Sequence, residues 1–259
     1  MYRSAVWEIG KVSGNRDGTW SGAVAVVAGA LCYTGTLSDA RQHHHVATQV
    51  VRTFTGAFEL SDAHGRRVVT SAAVIPSGHD HGIRILEPTS GILAFLDPSM
   101  FSRIATDSDD VARWVAAGHQ LPCWTSPLPP EQLLGQLIAT PPIGYTRPTA
   151  DIWHPSVLAA VELIPRLLPG QVRLTDVARQ VALSPSRLGR LFNDQVGQSF
   201  PTYVRWARLR CAVEAVRDGA SLTDAAHAAG FTDSAHANRV CHEMFGLSPS
   251  AASRDLVWA

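Results

Sequence analysis

"LTDVARQVALSPSRLGRLFNDQVGQSFP" occupies residues 174–201, and "LTDAAHAAGFTDSAHANRVCHEMFGLSP" occupies 222–249. The two stretches are one pattern written twice. The offset is 48 residues and becomes 49 after one extra residue in the second copy. Each copy reads as a Thr N-cap (Thr175, Thr223), a short Ala-rich helix and a tight turn. A second cap follows (Ser184 before Pro185; Thr232 or Asp233), then a second helix. That is the layout of a helix-turn-helix unit. In the first copy Val177, Ala178, Val181, Leu188, Leu191 and Phe192 fall on inward positions. Small Ala178 and Ala226 let the paired helices cross closely.

Helical spacing then defines an outward face on each second helix. With Leu188, Leu191 and Phe192 inward, Ser186, Arg190 and Asn193 point out, flanked by Arg187 and Gly189. With Ala237, Val240 and Cys241 inward, Ala235, Arg239 and His242 point out, flanked by Ser234, His236 and Asn238. An arginine among short polar neighbours can pair bidentately with guanine in the major groove. One such face could as well be a solvated surface; two matching copies favour DNA. Between them "PTYVRWARLRCAVEAVRDG", 201–219, reads as a single helix started by Pro201 and ended by Gly219. At ~1.5 Å per residue it spans roughly 27 Å. Recognition helices on one face of B-DNA sit about 34 Å apart, so this helix can hold them near that spacing. Arg205, Arg208 and Arg210 on it are either phosphate contacts or solvated.

Upstream the pattern changes. Up to about Pro98 the chain is a series of short β-rich runs, "AVAVVAGALCY", "VATQVVRTF", "GAFELSD", "RRVVTSAAVIP", "GIRILEP" and "GILAFLDP", parted by turns such as "DAHGR" and "PSGHDHG". Short strands at this spacing predict an all-β barrel or sandwich. After Pro98 strands stop, and helices are expected at about 107–119 and 130–139. Trp114, Leu133, Leu134 and Leu137 on them are candidates for pairing two copies or for packing on the barrel. The Pro- and Thr-rich "TPPIGYTRPTADIWHP" reads as a linker, 140–152, and everything from Pro155 onward reads as helix.

The 259 residues carry 46% hydrophobic content, enough for real cores in two domains, and a formal net charge of zero. Net charge therefore says nothing about nucleic acid. The start lacks the apolar stretch of a signal peptide, and no run is long enough to span a bilayer, which points to a cytoplasmic protein. Cys32, Cys123, Cys211 and Cys241 are widely spaced and read as buried thiols, not a disulfide frame or zinc site.

"LTDVARQVALSPSRLGRLF", "FPTYVRWARLRCAVEAV" and "SLTDAAHAAGFTDSAHANRVCHEMFGLSPSA" resemble the AraC/XylS family of bacterial transcription regulators. The resemblance covers about 153–255. It implies an all-α DNA-binding domain at 153–259 with two helix-turn-helix units, and an N-terminal effector-binding and dimerisation domain at 1–139. The latter would be a cupin-like β-barrel (about 1–98) followed by helices (about 107–139). It also implies a double-stranded DNA operator, activation by contact with RNA polymerase, a small-molecule effector and a homodimer. Carried over by position, Ser186, Gly189 and Arg190 in the first unit, and Ser234, Ala235, His236 and Arg239 in the second, take base-facing places. The chain departs from the family where it has Ala237 in place of a large apolar residue, and Cys241 in place of Phe.

The first domain carries its own motif. His43-x-His45 followed by Gln49 and Gly56 has the spacing of the first cupin motif, with Gln in the usual Glu slot, and Pro76-x-Gly78-x-x-His81 matches the second. Alternation along one strand would put His43 and His45 inward and His44 outward. Three histidines across a barrel form a sensible ligand set for a divalent metal such as Zn, Ni, Fe or Mn, and neutral Gln49 makes the set one charge weaker. The residues leave three readings open: a bound metal, a metal-free pocket in which His43, His45, Gln49 and His81 hydrogen-bond an effector or one another, or purely structural histidines. Two other classes compete with a regulator of this kind: a cupin metalloenzyme fused to a DNA-binding module, and a regulator whose barrel only dimerises.

Overall fold

The computed structural model describes residues 21–103, 110–124, 128–142, 144–246, 248–250 and 255–258. Residues 1–20 of the expected barrel and 107–109 of the expected first helix lie outside these. Strands β1 (Ser21–Val27), β2 (Ala30–Thr36), β3 (Ala40–His43), β4 (Thr48–Thr53), β5 (Phe58–Asp62), β6 (Arg67–Thr70), β7 (Ala72–Ile75), β8 (His81–Ile85) and β9 (Ser90–Leu96) come first. A two-residue strand β10 (Ser102–Arg103), helices α1 (Val111–His119) and α2 (Pro130–Ala139), and β11 (Tyr145–Thr146) follow. The C-terminal half holds α3 (Pro155–Arg166), α4 (Leu174–Gln180), α5 (Pro185–Val196), α6 (Phe200–Arg217), α7 (Leu222–Ala228), α8 (Ser234–Phe245) and a last strand β12 (Asp255–Trp258).

The β region is two facing sheets, ordered β12-β1-β2-β9-β4-β7 and β3-β8-β5-β6. Their central strands are apolar on both faces for a physical reason. One face of the larger sheet, with Val50, Val74, Ile92 and Ala94, is covered by α2; the other, with Val51, Leu93 and Phe95, closes on the second sheet, and α1 packs along β7 with Val111 and Trp114 in that same core. Trp114, Leu133, Leu134 and Leu137 are buried beneath α1 and α2 in this chain's own core, so they are not available to a second copy. Cys32 and Cys241 are buried as expected, but Cys211 is half-buried and Cys123 exposed.

The repeat folds as its pattern requires. α4 and α7 are offset by 48 residues, α5 and α8 by 49. The helices start earlier than expected, however. α4 begins at Leu174 after Arg173, and α7 at Leu222 after Ser221, whose hydroxyl accepts from the Asp224 amide. Thr175 and Thr223 thus lie inside the first turns. Ser184 caps α5 and Asp233 caps α8, each side chain accepting from an amide three residues on. The turns use a left-handed residue at the same place: Ala182 at φ 57° in the first unit, Gly230 at φ 79° in the second.

Two features depart from a purely helical C-terminal half. β12 pairs in parallel with β1, Ser21 opposite Asp255 through Val24 opposite Trp258, so the end of the chain adds a strand to the N-terminal sheet. β11 pairs with β10 inside the expected linker. One apolar core also runs across the boundary, joining Leu93 and Phe95 of the sheet to Leu209, Cys241 and Phe245.

Candidate functional site

Two places carry the predicted chemistry. The first is the pair of outward helix faces. On α5, Ser186, Arg187, Arg190 and Asn193 are exposed, and Gly189 is half-buried beside Leu174. On α8, Ser234, Ala235, Asn238, Arg239 and His242 are exposed. His236 is half-buried: its ring packs edge-on against Phe231 and its Nδ1 lies 3.1 Å from the Thr232 hydroxyl. The arginines of α6 are engaged within the chain. Arg205 pairs with Glu243 at 3.1 Å, Arg208 donates to the Gly230 carbonyl, and Arg210 pairs with Asp97 at 3.3 Å.

The second place is the histidine cluster. His43 ends β3 and faces His81 of β8 as its register partner. His45 is not on the same strand; it lies in the turn after β3, and Gln49 is on β4. The single-strand alternation expected for the pair is therefore replaced by a turn, which still aims both imidazoles inward. His43, His45, Gln49 and His81 are all buried, while His44 turns outward to Asp80 at 3.1 Å.

The protons of this cluster can be placed. His43 Nδ1 donates to the Arg41 carbonyl (2.7 Å), His45 Nδ1 to that of Ala47 (2.7 Å) and His81 Nδ1 to that of His79 (2.8 Å). A carbonyl only accepts, so each Nδ1 carries the hydrogen and each Nε2 is left with a lone pair. His45 Nε2 and His81 Nε2 lie 3.0 and 2.8 Å from Gln49 Oε1, also an acceptor. His43 Nε2 is buried and has no partner. Rotating the Gln49 amide end for end would let its NH2 donate to two of the nitrogens and would leave the third unsatisfied. One cation among the four atoms satisfies them all. Burial, the largest influence on each, pushes all three imidazoles below the ordinary histidine range, His45 to about 4. They stand neutral and ready to ligate at neutral pH. The three ligand atoms lie within 4.8 Å of one another. A metal about 2.1 Å from each nitrogen needs pairs within about 4.2 Å, so binding would draw the widest pair inward.

The two places touch. Gly246, the left-handed C-cap of α8, lies so close to the cluster that a Cβ there would sit 3.0 Å from His43 Nδ1 and 3.2 Å from the Arg41 carbonyl. Phe245 packs edge-on against Phe95, centroids 4.8 Å apart, and Phe95 against His45 at 5.3 Å. A polar clamp holds the same boundary. Asp97, fully buried after β9, accepts from Trp206 Nε1 at 2.8 Å and from the Tyr203 hydroxyl at 3.1 Å, and pairs with Arg210. Sequence reading missed this clamp, although an acid closing the apolar run "GILAFLD" was a visible signal.

Comparison with known proteins agrees with this picture. Residues 177–255 match the family described as a helix-turn-helix domain. The chain is 30% identical over 102 residues to the HTH-type transcriptional regulator GlxA of Rhizobium meliloti, covering 39% of this chain and 32% of that protein. It is 39% identical over 80 residues to the HTH-type transcriptional activator RhaR of Pectobacterium atrosepticum, covering 30% of this chain and 28% of that protein. The match thus spans about a third of these relatives. The fold resembles ToxT from Vibrio cholerae, with TM-score 0.54 at 11% identity over 87% of this chain and 98% of that one. A structure of ToxT with unsaturated fatty acid bound gives TM-score 0.56 at 10% identity, over 87% and 95% of the two chains. The C-terminal half of the chain thus carries a helix-turn-helix domain similar to those of these transcription regulators, joined to an N-terminal domain of two mainly antiparallel sheets.

Proposed function

We propose that the chain is a sequence-specific DNA-binding transcription regulator governed from the histidine centre of its N-terminal domain. The observation that carries this reading is the doubled helix-turn-helix unit with Arg190 and Arg239 exposed on matching helices, α5 and α8. Each arginine would read guanine in one of two successive major-groove turns. Ser186, Arg187 and Asn193 on one helix, and Ser234, Asn238 and His242 on the other, would supply phosphate and further base contacts. His43, His45, Gln49 and His81 would hold a divalent metal, and the unpaired Nε2 of His43 supports that assignment. The metal would draw the four side chains together, a change felt at once by the end of α8.

The family resemblance extends this reading to activation through RNA polymerase and to a pair of chains on the operator; the latter would have to use residues other than the buried Trp114, Leu133, Leu134 and Leu137. The fatty acid held by ToxT supports a small-molecule effector in kind. Among the described residues no helix is long and apolar enough to cross a membrane. Titrating promoter DNA by fluorescence anisotropy tests the reading. Arg190→Ala and Arg239→Ala should each weaken operator binding by about 1–3 kcal/mol, roughly fivefold to 150-fold, with random DNA little affected. Operator affinity unchanged in both variants would refute it.

A further inference from the structure

The boundary between the two domains holds a partly open cavity of about 160 Å³. Val24, Leu31, Leu93 and Phe95 form its wall on the sheet side. Leu209, Ala212 and Val216 of α6, with Ala237, Cys241 and Phe245 of α8, form the facing wall. Leu256 and Trp258 of β12 border it, so the final strand closes over it like a strap. Among the described residues the lining contains no Lys, Arg, Asp or Glu. Its polar edge is the histidine centre, where His43 and Gln49 form part of the wall.

Ala237 and Cys241 are the two positions where the sequence falls short of the large apolar residues expected in this helix. Both lie on the cavity. Their small side chains are what leave the space open. An apolar cavity of about 150 Å³ stays dry and accepts a benzene-sized molecule. With the histidine centre free of metal, an anion entering here would shed its water with no cationic side chain among the described lining residues to meet it.

We propose that this cavity binds a small, uncharged, ring-sized apolar molecule carrying one hydrogen-bonding group, with that group toward His43 and Gln49. Such a molecule would touch the barrel, α6 and α8 together. It would therefore set how the second helix-turn-helix unit sits on the N-terminal domain. Only this consequence rests on the DNA-binding reading; the binding itself is measured without DNA.

The test is calorimetry on the purified full chain, stripped of metal, with three probes of one size: benzyl alcohol, toluene and benzoate. Benzyl alcohol should bind with a negative heat-capacity change, toluene more weakly, and benzoate at least tenfold more weakly than the alcohol. Ala237→Leu and Cys241→Phe fill the space from α8. Each should weaken benzyl alcohol at least tenfold while leaving the melting temperature equal or higher. Absence of alcohol binding up to its solubility overturns the proposal, as does benzoate binding more tightly than the alcohol. Undiminished binding in both filled variants overturns the location. Loss of operator binding in Arg190→Ala with alcohol binding intact leaves the two claims separately judged.

Discussion

The two helix-turn-helix units share a pattern but not surroundings. α5 packs only against its own domain's helices α3, α4 and α6 to any extent, whereas α8 also packs on β3. The end of α5 is a left-handed Gly197, after which Gln198 donates to the Ser77 hydroxyl of the N-terminal domain at 3.3 Å; the end of α8 is Gly246, lodged against His43 itself. The first unit meets the N-terminal domain through a polar contact beside the cluster. The other is read by the protein itself before it reads DNA. Under the proposed function, α8 would be the helix that feels whether the histidine centre is filled, because it is the one in direct contact with it.

The largest way to break the comparison is to remove the clamp that docks the second unit's neighbourhood. Asp97→Ala leaves Arg210 largely buried without its carboxylate and takes an acceptor from Tyr203 and Trp206. Losing one partner of a buried pair costs about 3–5 kcal/mol. Urea unfolding should show that loss, and hydrogen exchange should show α6 and α8 gaining exposure ahead of α5.

The turns offer a paired test of opposite sign. In the second unit, a Cβ on Gly230 would enter a left-handed conformation and meet the Pro169 carbonyl at 2.3 Å. Gly230→Ala should therefore destabilise by about 2 kcal/mol or more, the left-handed conformation alone costing ~1–2. In the first unit, Ala182 already bears that conformation at φ 57°. Ala182→Gly should stabilise by about 0.5–1 kcal/mol, glycine's greater chain entropy offsetting part of the relief. Thermal unfolding of the two variants side by side measures both.

Acid provides a gentler probe confined to the second unit's side. The three cluster histidines have folded pKa values below the ordinary 6.5, with His45 at about 4. Between those values the unfolded chain takes up protons that the folded chain refuses. Their contribution to stability is complete above about pH 6.5 and is lost as pH falls toward 4. Metal-stripped protein should melt progressively lower over that window, and His81→Gln should flatten the dependence.

The sequence made the reading heads legible because helix spacing and caps are local: α2 at Pro130–Ala139, the caps Ser184 and Asp233, and the exposed arginines follow from neighbours in the chain. The cluster of His43, His45, Gln49 and His81 was legible by spacing, although the strand ends at His43 and a turn does the aiming. What stayed hidden depends on distant partners. Nothing near Arg210 announces Asp97, more than a hundred residues away. Trp114 and the leucines of α2 are apolar whether they meet the barrel or another copy. The strand at Asp255–Trp258 forms because β1 presents an open edge, a fact absent from its own composition.

The central claim is that the histidine centre controls the second unit and not the first. Footprinting of a promoter with metal-saturated and metal-stripped protein tests it most directly, with Phe245→Ala alongside. The account predicts that metal changes protection over the half-site read by α8, leaves the half-site read by α5 as it was, and loses this effect in Phe245→Ala. Equal protection of both half-sites with and without metal, or a change at the α5 half-site alone, would contradict it.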